Sequence, residues 1–171
     1  MIKRLFFPTL FVWLFSSLIA FNNNAAQKAS ISLPINMTVT NPQCQINNGL
    51  GLPETIQLPS ITTSGTPLSD NRVEIPIIID CVNKITKFEI TLTGGNNSKI
   101  NTSNSMVDIA LSWKKKGSGV EFGTPVEVNK APFAITQKQF DGTLLGKVSP
   151  RAGTIPAGSY TASLSVTFTY Y

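Results

Sequence analysis

Cys44 and Cys81 are the only two thiols in a chain of 171 residues that contains no histidine. The missing imidazole removes Ser-His-Asp and Cys-His dyads, most zinc sites and most proton shuttles in one step. The two thiols then have two uses to choose between, a metal pair or one disulfide, and in an exported chain the disulfide is the expectation. A loop of the size they would close is worth about 4 kcal/mol by chain entropy. Carboxylates could pair for acid-base work at Asp70 with Glu74 or at Glu121 with Glu127. On short strands and their loops such groups are ordinarily surface charges. No glycine-rich loop leads from a strand into a helix, so nothing cradles a phosphate. Lys114, Lys115 and Lys116 lie beside Gly117 and Gly119 without interleaved aromatics, which describes a solvated loop and not a nucleic-acid face. The expectation is a chain with no catalytic residues, cofactor, metal, small-molecule substrate or nucleic-acid partner.

The elements that would position these residues begin after a leader. Lys3 and Arg4 precede an apolar run from Leu5 to Phe21, followed by Asn and Ala residues, and residues 1–26 read as a secretory signal peptide. Cleavage falls between 20 and 26, after Ala20 or near Ala25 and Ala26. The rival reading is an uncleaved membrane anchor, since the run approaches bilayer-spanning length. Removing the leader lowers the net charge from +5 to about +3, so part of the basic character belongs to the leader itself. Hydrophobic content of 42% is enough for one modest domain.

The C-terminal stretch GSYTASLSVTFTYY carries its larger side chains on alternate positions, Tyr160, Ala162, Leu164, Val166, Phe168 and Tyr170. A period of two over this length is a strand. It is long and uncharged, and such a strand left at an open edge invites aggregation. Something must cover it. Near the other end, Ile31, Leu33, Ile35, Met37 and Val39 alternate in the same way, interrupted by Pro34. Proline has no amide proton for a ladder, so this segment should sit at an edge or offer only part of its backbone. Pattern alone leaves it equally an ordinary first strand of its own domain or a strand seeking a groove elsewhere.

Between these ends, Thr55 to Leu58 reads as a short strand closed by Pro59. Val73 to Val82 reads as a buried core strand with a bulge or sheet switch at Pro76. Phe88 to Leu92, Val107 to Trp113, Val126 to Val128 and Leu144 to Val148 follow, with Asn96 to Ser105 as loop. Short strands separated by Gly, Pro, Asn and Ser, with no sustained helical period, describe an antiparallel sandwich.

Taken together, NPQCQINNG around Cys44, the distance from it to Cys81, NSMVDIALSW, and the C-terminal motif resemble the pilin subunits of bacterial chaperone-usher fimbriae. In that last motif Gly158 stands fourteenth from the end and Tyr170 is penultimate. The resemblance implies an all-β fold, an incomplete immunoglobulin-like β-sandwich lacking its seventh strand. Residues 27–41 would be an N-terminal donor-strand extension and residues 42–171 the pilin domain. It implies a disulfide between Cys44 and Cys81. It also implies that a periplasmic pilus chaperone lends a strand to the open groove and holds the C-terminal carboxylate. At an outer-membrane usher the extension of the next subunit replaces that loan.

On this chain the donor side chains would be Ile31, Leu33, Ile35, Met37 and Val39. The partner-binding C-terminal strand would present Gly158, Tyr160, Leu164, Val166, Phe168 and Tyr170. Five such side chains give a gross gain on the order of 10 kcal/mol before entropy costs. The family often carries glycine where Met37 stands, and Pro34 is also unusual, so either the register differs or the receiving groove has more room.

The expected function is a structural subunit, minor or adaptor, that polymerises by donor-strand exchange with neighbouring pilin subunits, is exported through the periplasm to the cell surface, and supports adhesion. The alternatives are a pilus-terminating subunit and a self-contained Ig-like surface binding module using the loops around Lys114 to Lys116 or Asn96 to Ser105. A self-contained module would keep residues 30 to 40 in its own cleft and stay monomeric. An incomplete domain would aggregate or swap strands unless given a donor.

Overall fold

In the computed structural model of the chain, residues 28–38, 44–66 and 72–171 are described. The leader, Val39 and Asp70 fall outside the described residues. Thirteen strands run in the order β1 Lys28–Thr38, β2 Cys44–Ile46, β3 Thr55–Thr62, β4 Arg72–Ile75, β5 Ile78–Cys81, β6 Phe88–Thr93, β7 Lys99–Asn101, β8 Val107–Trp113, β9 Val126–Glu127, β10 Gln139–Asp141, β11 Leu144–Pro150, β12 Gly158–Thr161 and β13 Leu164–Tyr170. A 3₁₀ turn follows β2 at Asn47–Gly49.

One sheet has the spatial order β3, β1, the pair β12 and β13, β6, β9. The other face is built from two ladders, β4-β11-β8-β7 and β2-β5-β10. These ladders meet at a corner. The expected strand from Val73 to Val82 breaks at Pro76 into β4, which pairs with β11, and β5, which pairs with β10 and β2. Pro76 has no amide to give to either ladder, and it marks the switch. Gly142 and Thr143 turn the opposite strand at the same place. The Gly142 amide donates to the Ile77 carbonyl at 2.9 Å, and the Ile77 amide donates to the Thr143 hydroxyl at 3.4 Å. Asn47 clamps the corner to the turn after β2. Its side-chain amide donates to the carbonyls of Gly51 and Pro76, and its Oδ1 accepts from the Ile78 amide.

The core is formed by the alternate inward residues of both faces. Phe88 of the first sheet meets Phe168 of the same sheet and Phe140 of β10, with ring centres 6.0 and 5.9 Å away. Trp113 meets Phe133 edge-on at 5.2 Å. All of this fits an immunoglobulin-like β-sandwich. Two details differ from the sequence reading. β3 continues through Pro59 to Thr62, because the register of β1 on β3 shifts between Ala29 and Ile31 and the bulge absorbs the missing amide. The expected loop from Asn96 to Ser105 contains β7, entered through a two-residue turn in which Asn97 and Ser98 take positive φ.

Candidate functional site

Cys44 and Cys81 face each other across β2 and β5 and form a disulfide. It ties the strand next after β1 into the second face. The other candidates for chemistry disperse. Glu74 pairs with Lys114, and Glu127 with Lys130, both on the surface. Glu74 holds the Lys114 ammonium above its ordinary pKa, and Glu89 does the same for Lys87. Lys115 lies 3.5 Å from the buried carboxylate of Asp141, and Lys116 is exposed. Asp108 is 3% exposed and accepts two hydrogen bonds from Arg151, at 2.9 and 3.0 Å, which raise the arginine's pKa further. Of these pairs only Asp108–Arg151, with its buried carboxylate, braces the sandwich. Among the described residues no group of three Cys, Asp or Glu side chains could hold a metal ion.

What the fold does assemble is a cleft. Its walls are β3 on one side and β12 with β13 on the other, and β1 lies between them. Ile31 and Leu33 are fully buried there and Ile35 is 6% exposed. Ile31 stands opposite Tyr160 on one side and Leu58 on the other, and Ile35 opposite Leu164. Tyr160, Ala162, Leu164, Val166 and Phe168 are all buried, while Tyr170 is half-buried and stacks on Phe88 at 5.5 Å. The Tyr160 hydroxyl donates to the Pro156 carbonyl. Gly158, exposed, begins β12 opposite Ala29. From Ile31 to Ile35 and from Tyr160 to Phe168 every second residue thus enters the core, as a pleated pair requires.

β1 runs parallel to β12 and β13 and antiparallel to β3. The pairing offset is the same for Ala29 to Ser32 on β12 as for Ile35 to Thr38 on β13. Leu33 and Pro34 therefore face Ala162 and Ser163, where the terminal strand is itself interrupted. The missing amide of Pro34 coincides with that break, so the segment offers part of its backbone on this side although it is not an edge. On the exposed face, the Ser30 and Ser159 hydroxyls are 2.9 Å apart.

Met37 departs from this pattern. It is 37% exposed, and its methyl lies 3.1 Å from where a Cβ on Gly51 would be. Beyond it opens a mostly apolar cavity of about 430 Å³ lined by Leu50, Leu52, Pro53, Pro76 and Ile78. Filling of the cleft stops at Ile35. The direction of β1 and the Ser30–Ser159 pair had no signal in the sequence, because alternation reads the same in either direction.

No family model matches the chain. The chain is similar to Protein FanH of Escherichia coli, with 34% identity over 158 residues covering 86% of this chain and 89% of that protein. Among solved structures it is similar to the crystal structure of the P pilus rod subunit PapA. That likeness has a TM-score of 0.40 and 16% identity, over 58% of this chain and 73% of the other, and is too distant to argue from.

Proposed function

The chain belongs to the pilin subunits of chaperone-usher fimbriae, and from that membership we propose that it is a minor or adaptor subunit that polymerises by donor-strand exchange. The observation that carries this reading is what fills the cleft beside the terminal strand. The filler is a separate strand at the chain's start, whose Ile31, Leu33 and Ile35 are buried against β3, β12 and β13. A second copy of the chain carries the same side chains and can present them to the same walls. Backbone pairing then supplies affinity and the alternate side chains supply register.

The occupant is also replaceable. Its ladder to the terminal strand is parallel, which is slightly weaker per residue than an antiparallel one, and it is interrupted at Pro34. The reading as minor or adaptor rests on Met37 and Pro34, which depart from the family's usual donor segment. On this account a periplasmic chaperone and an outer-membrane usher handle the subunit on its way to the cell surface, and Val39 joins the donor residues.

Two other readings draw on the same strand. A self-contained surface module, or a pilus-terminating subunit, would keep its cleft closed as β1 closes it here. Production of the chain with a chaperone and usher, followed by immunogold labelling, separates the three. A polymerising subunit appears along the fibre or at internal junctions, and an Ile31→Asp, Leu33→Asp variant disappears from those positions. A terminator labels one end only. A self-contained module labels no fibre.

A further inference from the structure

We propose that the outer face of the β4-β11-β8-β7 ladder carries a binding site of its own, a basic hollow that takes the sulfate esters of a polysaccharide chain. It lies apart from the cleft, and it stands or falls independently of strand exchange.

Four strands set the charges in line. Alternation along β4, β8 and β11 sends Ile75, Leu111, Trp113, Leu144 and Val148 into the core, and so turns Arg72, Ala110, Ser112, Leu145 and Lys147 outward. Lys147 pairs with Arg72 on one side and with Ala110 on the other, and Ala110 pairs with Lys99 of β7. Three exposed cations therefore share one row across the ladder, with an alanine between the second and the third. At the spacing of neighbouring strands, the backbones of Arg72 and Lys147 stand about 5 Å apart and those of Lys147 and Lys99 about 10 Å. Like charges in register repel, so the row calls for an anion. The carboxylates on the same face are already committed, Glu74 to Lys114 at 2.7 Å and Asp108 to Arg151 at 2.9 Å. Among the described residues neither Lys99 nor Lys147 has an ion pair.

The small side of the row is hollow. Where Ala110 and Gly117 leave room, a depression of about 270 Å³ opens, lined also by Arg72, Ser112, Leu145 and Lys147. Its donors are a guanidinium, an ammonium and a hydroxyl, each from a different strand. Donors on three sides suit a tetrahedral oxyanion with three free oxygens better than a planar carboxylate with two. Leu145 and Ala110 add apolar surface for the face of a sugar ring. Lys99, further along the same line, receives the ester of a neighbouring sugar. A straight row of three cations fits a chain charged at intervals, whereas a phosphorylated membrane surface calls for a broader cluster of about 4–8.

Calorimetric titration of the exported chain with a heparin oligosaccharide, at fixed salt, tests this. Ala110→Leu fills the hollow and keeps every charge, and Lys147→Gln removes the central cation. Each should weaken binding at least about tenfold, the scale of one charged hydrogen bond. Lys84→Gln removes an equal charge from the exposed loop after β5 and should change binding little. A desulfated oligosaccharide that keeps its carboxylates should bind at least about tenfold more weakly, and vesicles of phosphorylated lipid should not compete. Undiminished binding by Ala110→Leu, equal losses at Lys147 and Lys84, equal binding of the desulfated chain, competing vesicles, or no binding at all would each overturn the proposal. If Ala110→Leu fails to fold, Lys147→Gln against Lys84→Gln decides.

Discussion

The amide of Ala162 donates to the carbonyl of Ser32 across the cleft at 3.0 Å. Two residues further along β1 stands Pro34, which has no amide, opposite the interruption between β12 and β13. The first strand and the last are thus well matched in their side chains and imperfectly matched in their backbones. A cleft of that kind is filled firmly by its side chains although its backbone ladder is incomplete.

Leu33 and Met37 should respond very differently to truncation. Leu33 is fully buried, so Leu33→Ala should cost about 2–5 kcal/mol in urea unfolding of the monomer. Met37 is 37% exposed at the mouth of the cleft, and Met37→Ala should cost less than about 1 kcal/mol. Equal losses would mean that β1 is not seated as described.

Opening the disulfide should weaken the whole domain. Cys44 and Cys81 are separated by 37 positions, and releasing such a loop costs about 4 kcal/mol by chain entropy, less whatever structure the reduced chain retains. A Cys44→Ser, Cys81→Ser variant should show a lower urea midpoint with little change at Leu33 relative to the rest. An unchanged midpoint would contradict the structural role.

Asp108 depends on Arg151. The carboxylate is 3% exposed and held by two hydrogen bonds from the guanidinium. Arg151→Ala leaves a buried charge without its partner and should lower Tm clearly. Arg151→Lys should recover only part, because lysine does not present the paired donors. The surface pair Lys130–Glu127 is the control, and Lys130→Ala should leave Tm nearly unchanged.

Stability should be flat between about pH 6 and 9, since no histidine titrates there. Lys87 and Lys114 have raised pKa values from their glutamate partners, and Arg151 from Asp108. A raised folded pKa means that the folded state holds its proton more tightly. The contribution is therefore complete below the unfolded value, about 10.4 for lysine, and is lost only as pH climbs through the folded one. Thermal unfolding across the neutral range checks this, and a step near pH 6.5 would contradict it.

The terminal strand and its buried face were legible from Tyr160 to Tyr170 because a period of two fixes which residues share a side. The Cys44–Cys81 pairing was legible from export and the lack of histidine, and Pro76 from its missing amide. The parallel direction of β1 was not, since alternation of Ile31, Leu33 and Ile35 is identical whichever way the neighbour runs. Nor was β7, whose three residues carry one buried side chain, Ile100, and so no period to read. The sequence reading left residues 30 to 40 between their own cleft and a neighbour's. The seat of residues 30–38 in the chain's own cleft moves the question from where the strand lies to whether it can leave.

That question has a direct measurement. A tagged Ile31→Asp, Leu33→Asp, Ile35→Asp chain keeps the cleft walls but cannot fill them. Co-secreted with the unmodified chain, it should be recovered bound to it, protected from protease by a strand supplied by the other copy, whereas alone it should be degraded or aggregate. If the tagged chain never associates with the unmodified one, and the latter stays a monomer throughout, strand exchange between copies is not what this cleft does.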